Sequence, residues 1–200
     1  MKSAAAWIVI VGAMVMLGVA APFGLAAGPA KAHRALAASL CDSAYKGQSV
    51  PAKTLQALVR SHEQWLDQRN NPEFHRADLC QADMRQATLA GANLERAQLE
   101  GALLRQANLH QAILIQASLA GADLTKALVN DGNISGADLR RTRLDAADLR
   151  RANLKGASLS SVTGLTQAQL DTACVDDQTA LPADLSRPAP CTAVTKETQP

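Results

Sequence analysis

Aromatic residues are almost missing from this 200-residue chain: Trp7, Phe23, Tyr45, Trp65 and Phe74 are the whole supply, and none lies between Ala77 and Ser161. An aromatic-centred core is thereby excluded, as are the stacking platforms that single-stranded nucleic acid and sugars need. An excess of one charge is missing too. The 20 Lys and Arg stand against 18 Asp and Glu, a net of +2, which implies no strong polyanion or polycation partner. Of the four histidines His33, His62, His75 and His110, no two share the spacing of a metal-ligand pair. His62 and His75 read instead as ordinary residues of a capping region. There is no Gly-rich phosphate loop, and Ser160-Ser161 have no base nearby in sequence. The chain therefore reads as noncatalytic, with no cofactor, no metal and no nucleic-acid partner.

Charge is absent again between Lys2 and Lys31, and Ala4 to Ala21 is a nearly continuous apolar run. Residues 1–32 read as a signal peptide or an N-terminal membrane anchor. The single Lys ahead of the run, the break at Pro22 and Gly24, and the small residues around Ala20 and Ala32 fit cleavage. The 28 uncharged residues from Ser3 to Ala30 exceed the ~20 that span a bilayer and fit an anchor. Either way a periplasmic or otherwise extracytoplasmic location follows, secreted or held at the inner membrane. The cysteines agree. Cys41, Cys80, Cys174 and Cys191 are even in number, follow the apolar run and form no Cys-x-x-Cys pair, which favours disulfides in an oxidising compartment over four thiols in the cytosol. Proximity favours Cys41 with Cys80 and Cys174 with Cys191. Leu40, just before Cys41, stands where a lipid-attachment motif carries a small residue.

From Ala77 the chain is written in fives: Ala77-Asp78-Leu79-Cys80-Gln81, Ala82-Asp83-Met84-Arg85-Gln86, and so on to Ala157-Ser158-Leu159-Ser160-Ser161, 17 repeats without a break in phase. The third position is Leu in 14 of them, with Met84, Val129 and Ile134 completing it; the first is Ala except at Gly132 and Thr142. A helix advances ~500° in five residues, so successive leucines fall ~140° apart and make no stripe. In a continuous strand an odd step puts them on opposite faces. One arrangement survives: the first three residues extended, with Ala and Leu pointing one way, and the last two turning the chain. The coil then closes on stacked Leu and Ala, where an aromatic side chain would overpack the interior.

These residues resemble the pentapeptide-repeat family, whose motif reads A-(D/N)-L-x-x, over 85 of the 200 residues. The resemblance implies an all-β solenoid, a right-handed quadrilateral β-helix of four repeats per coil, with short helical caps. At about 4.8 Å per strand its 4.25 coils would stand roughly 20 Å tall. Asp or Asn fills the second position in nine repeats, where its side chain can bond the backbone of the turn. Leu103, Ile113, Leu128 and Arg143 cannot, and Asp131-Gly132 reads as the loosest corner.

Open solenoid ends need covers. Leu55, Leu58, Val59, Trp65 and Leu66 mark one face of a helix from about Ala52 to Gln68, with Pro51 at its start. Phe74 is in phase as the centre of a degenerate eighteenth repeat. Thr166 and Gln169 form a capping-box pattern opening a short helix to about Cys174, and the tail beyond Leu181 reads as loop. The expected division is 1–32, targeting segment; 33–71, linker and helical cap; 72–165, repeat column; 166–200, C-terminal cap helix and tail.

Residues 20 apart should stack on one wall. Asn93, Ile113, Asn133 and Asn153 form one column beside Glu95, Ile115, Ser135 and Lys155, so Ile113 and Ile115 project together. They are either a docking spot or two ordinary surface hydrophobes. Arg140, Arg141, Arg143, Arg150, Arg151 and Lys155, against Asp138, Asp145 and Asp148, leave a local +3. They make a collar for an anionic partner or a solvated surface, its Arg pairs divided between opposite sides. The reading is an interaction or scaffold module of the bacterial envelope that binds a protein. The alternative is the DNA mimicry of gyrase-binding family members. Those present an acidic rod, whereas residues 72–165 carry 11 Lys and Arg and 10 Asp and Glu.

Overall fold

In the computed structural model of the chain, residues 43–68, 75–189 and 191 are described. The targeting segment, Cys41, Phe74 and the end of the tail lie outside them.

The extended-then-turn pattern builds a column in a register of 20. Parallel bridges join Asp78 to Gln98, Gln98 to Ser118, Ser118 to Asp138 and Asp138 to Ser158, and the other three walls repeat the same step. Four repeats thus make one coil. Strand pairing between coils is limited to single-residue bridges and long strands do not form, because every fifth residue turns the chain. Four backbone hydrogen bonds recur, one of them from the fifth-position N–H to the fourth-position carbonyl one coil on (Gln81 to Glu100, 2.8 Å). The third-position N–H donates to the second-position carbonyl one coil on (Leu79 to Gln98, 2.8 Å), the second-position N–H to the first-position carbonyl one coil back (Gln98 to Ala77, 2.9 Å), and the first-position N–H closes a turn on the preceding third-position carbonyl (Ala82 to Leu79, 3.2 Å).

Every fifth-position residue from Gln81 to Gly156 has φ between +53° and +70°, the left-handed conformation that the third residue of a type II turn requires. Only five of those sixteen are glycine, so the stack holds Gln, Arg and Lys in a conformation that costs each roughly 1–2 kcal/mol. The corner at Asp131-Gly132 is no looser than the others. Asp131 has φ +59°, and Gly132 donates to Val129 at 3.1 Å like any first-position residue. All nine second-position Asp and Asn residues accept the N–H two residues on, from Asp78 with Cys80 to Asn153 with Lys155. This is local side-chain turn bonding.

The third-position side chains fill the interior, none more than 3% exposed. Nine of them, Leu114 to Leu154, surround an axial gap of about 10 Å³, whose aliphatic lining offers a water molecule no hydrogen-bond partner. Thr142, in place of Ala, is buried and donates its hydroxyl to the Leu119 carbonyl at 2.8 Å.

Helix α1, Ala52–Asp67, covers the first coil and buries Leu55 and His62. Just before it, Gln48 to Val50 pairs with Asp83 in the column's own register. At the other end helix α2, Gln167–Asp171, opens with the capping box of Thr166 and Gln169 and stops three residues short of Cys174. The Gln169 amide also donates to the Leu144 and Ala147 carbonyls at 3.0 and 2.8 Å, closing the exposed edge. Gln169→Glu keeps the helix cap and loses both edge donors, so it is expected to lower stability by about 1–3 kcal/mol in urea titration. Gln169→Ala, losing the cap as well, should fall further. The segment beyond α2 is docked rather than free as far as Leu185. Leu181 and Leu185 pack against the core, and Cys174 is disulfide-bonded to Cys191 with a Cα separation of 5.4 Å. Cys80 is also disulfide-bonded; its expected partner Cys41 lies outside the described residues. Among the described residues no helix is long and apolar enough to cross a membrane.

Candidate interaction surface

Because i and i+2 in an extended triplet share a side, second- and fourth-position side chains project together from each repeat. Ile113 and Ile115 therefore stand on one wall, Ile113 bridged to Asn93 below and Asn133 above. Both are half-buried. The Asn153 side-chain amide donates to Asn133 Oδ1 at 3.1 Å, tying the upper part of the same column. Among the described residues the most exposed large aliphatics are others, Leu103 at 37% and Leu128 at 45%. They lie on two different walls, in second positions where the usual Asp or Asn would bond the turn. The isoleucines remain a pair on one repeat.

The collar is compensated more fully than sequence arithmetic implied. Arg140 grips Asp138 with two bonds of 2.8 and 2.6 Å, and Arg150 grips Asp148 with bonds of 2.9 and 2.6 Å. Arg151 reaches one coil back to Asp131, at 2.5 and 2.8 Å. Arg143 lies 3.8 Å from Asp123 and 3.5 Å from Asp145. Asp123 and Asp131 are thus partners that the local count left out. Hydrogen bonds from the arginines hold Asp138 and Asp148 below the usual carboxylate range, and Arg151 pulls Asp131 down to about 2. Burial works against the charge of Asp123, but bonds from the Thr125 hydroxyl and N–H, with Arg143 and Arg105 nearby, leave its pKa lowered. Only Arg141 of the five arginines has no carboxylate beside its side chain. It lines a polar hollow of about 230 Å³ with Ala120, Arg140 and Ser161.

Sequence reading missed the Asp-x-Arg unit. Asp83-Met84-Arg85, Asp138-Leu139-Arg140 and Asp148-Leu149-Arg150 repeat one geometry, in which a single carboxylate accepts the arginine's N–H and two guanidinium nitrogens. The signal was available, since residues two apart share a side. It missed His62 as well: this histidine is wholly buried, accepting the Ala77 N–H at Nδ1 and donating from Nε2 to the Glu95 carbonyl, both at 3.0 Å. Among the described residues no group of His, Cys, Asp and Glu is arranged to hold a metal ion.

A parallel coil of 20 residues, capped at both ends and closed on stacked aliphatic side chains, defines a repeat solenoid. Residues 73–163 are a pentapeptide-repeat domain: the segments 73–106, 92–131, 102–141 and 133–163 match the family described as pentapeptide repeats. Among solved structures, a pentapeptide repeat protein of the Arabidopsis thaliana thylakoid lumen is 30% identical with a TM-score of 0.44, over 48% of this chain and 66% of that one. Rfr23 from the cyanobacterium Cyanothece 51142 is 29% identical with a TM-score of 0.40, over 50% of this chain and 64% of that one. QnrB1, a plasmid-mediated fluoroquinolone resistance protein, is 15% identical with a TM-score of 0.28, over 48% of this chain and 62% of that one. The chain spans less than two thirds of the length of each. No curated protein matches the sequence.

Proposed function

We propose that the chain is a noncatalytic interaction or scaffold module of the bacterial envelope, exported or anchored by residues 1–32, with a right-handed quadrilateral β-helix over 72–165 between caps at 33–71 and 166–200. The observation that carries the reading is a rigid column whose ionic groups are largely paired among themselves, joined to a disulfide-bonded C-terminal cap. Such disulfides belong to oxidising compartments. The balanced charge of the column weighs against DNA mimicry, which needs a continuous negative field. Thiol alkylation in freshly lysed cells followed by nonreducing gels is expected to find no free thiol, and protease added to spheroplasts should digest the domain. Four free thiols and full protection would overturn the location.

For the partner, the wall of Ile113 and Ile115 is the preferred site, because binding through the collar would disturb ion pairs already made. Ser at both isoleucines should abolish an envelope crosslink while leaving the melting curve nearly unchanged. Were the collar the site, Ser at Arg140, Arg141, Arg150 and Arg151 would release the partner instead, with a steep salt dependence.

A further inference from the structure

Each wall of the first coil presents one second-position residue whose own N–H and C=O point away from the column. On one wall the chain covers it: the Asp83 N–H donates to the Gln48 carbonyl at 2.8 Å, and Val50 donates to the Asp83 carbonyl at 3.0 Å. Gln48-Ser49-Val50 is not a repeat, yet it takes the place of a preceding coil, with Val50 7% exposed where a repeat has Leu. On the next wall the equivalent residue is Thr88. It is bridged to Asn108 above, but among the described residues its own N–H and C=O have no hydrogen-bond partner.

The side chains around that edge are also uncovered. Ala87 is half-buried, whereas every other first-position residue from Ala77 to Ala157 is buried. Ala90 and Gly91 are small and exposed, and the space beside Gly91 is open. Helix α1 supplies the opposite bank with Leu55 and Val59, enclosing a groove of about 350 Å³. A second hollow lined by Val50, Leu55 and Thr88 makes it continuous with the segment docked next door. Of the two charges on the rim, Glu63 accepts the Asn93 N–H at 3.4 Å, while Arg60 is exposed and makes no ion pair among the described residues. The uncommitted charge of the groove is positive.

We propose that this groove binds one extended segment of a partner protein by strand addition, its tripeptide pairing with Thr88 as Gln48-Ser49-Val50 pairs with Asp83. Main-chain bonds supply affinity and side-chain pockets supply selectivity in this mode of recognition. The first residue accepts the Thr88 N–H. The third donates to the Thr88 carbonyl and lays an aliphatic side chain between Val59 and Leu89, and an acidic neighbour meets Arg60. The proposal rests on the reading of the chain as an interaction module but not on its export or on the isoleucine wall, so either can fail alone.

The probe is a fluorescent, end-blocked Glu-Gln-Ser-Val-Gly peptide, titrated into the full chain by anisotropy with amide exchange read in parallel. Saturable binding with slowed exchange at the Thr88 amide is expected. Methylating the peptide's Val nitrogen should weaken binding about tenfold, the worth of one hydrogen bond. Thr88→Pro removes a donor that serves no internal bond and should do the same; if that variant does not fold, the methylated peptide tests the same edge on unaltered protein. Arg60→Glu should weaken the acidic peptide and not its Gln counterpart. No saturable binding at millimolar peptide, equal binding of the methylated peptide, or protection confined to the Ile113 wall would each overturn the proposal.

Discussion

Leu119→Asp is expected to leave no folded column at any temperature, whereas Ala120→Asp, one residue away, should melt within about 0.5 kcal/mol of the parent. Leu119 has no exposed surface and lines the axial gap with Leu114, Leu124 and Leu139. A carboxylate there meets only aliphatic carbon, and the cost of burying it unpaired rivals the ~5–15 kcal/mol total stability of a domain. Ala120 faces outward beside Arg140 and Arg141, so an added carboxylate gains a cation. Leu119→Ala, which leaves only a void, should cost about 2–5 kcal/mol in the same thermal and urea melts. Equal melting of the two Asp variants would reverse the assignment of inner and outer faces.

The second large effect is expected at His62, and it depends on pH. Nδ1 accepts from Ala77 and Nε2 donates to Glu95, so the ring is neutral with its proton on Nε2, and it stacks on Trp65 at 5.5 Å. Burial drives its pKa below 6.5, and the nearby charge of Arg76 adds to this, outweighing the Glu95 carbonyl, Glu63 and the Glu95 charge. A second proton would occupy the nitrogen that holds the Ala77 N–H. The stabilisation is therefore complete above pH 6.5 and is lost as pH falls through the lowered folded-state pKa. His62→Phe orphans one donor and one acceptor and should cost about 1–3 kcal/mol at pH 8. The gap between the two proteins should narrow in urea titrations at pH 5. A gap of the same size at both values would show that His62 contributes shape alone.

What the sequence disclosed follows from what repetition can encode. Phase, inner face and coil length were legible because Ala and Leu recur at fixed offsets and residues 20 apart must then stack. The left-handed fifth position was half legible: Gly91, Gly101, Gly121, Gly136 and Gly156 share that phase, but Gln and Arg at eight others hide the rule. His62 was not legible at all. Its role comes from meeting the first coil, a contact between a non-repeating helix and the column that no periodicity describes. The collar misled because charges were counted along the chain, while Arg151 finds Asp131 across coils and Arg143 finds Asp123. The isoleucine wall was legible as geometry; half-burial of both side chains was not.

The register of 20 has a consequence for how such a chain can change length. The C-terminal cap is keyed to particular walls. Gln169 meets Leu144 and Ala147, the Asp176 carboxylate accepts the Gly156 N–H, and Thr179 bonds the Leu154 carbonyl. Duplicating 20 residues inserts a floor and returns the cap to the same compass bearing, with every docking partner in its place. Duplicating five also preserves the motif perfectly, yet it swings the cap round to the neighbouring wall and turns whatever the upper walls display away from what the lower ones display. Growth by single repeats is therefore rotation as much as extension, and the caps decide which of the two the molecule will tolerate.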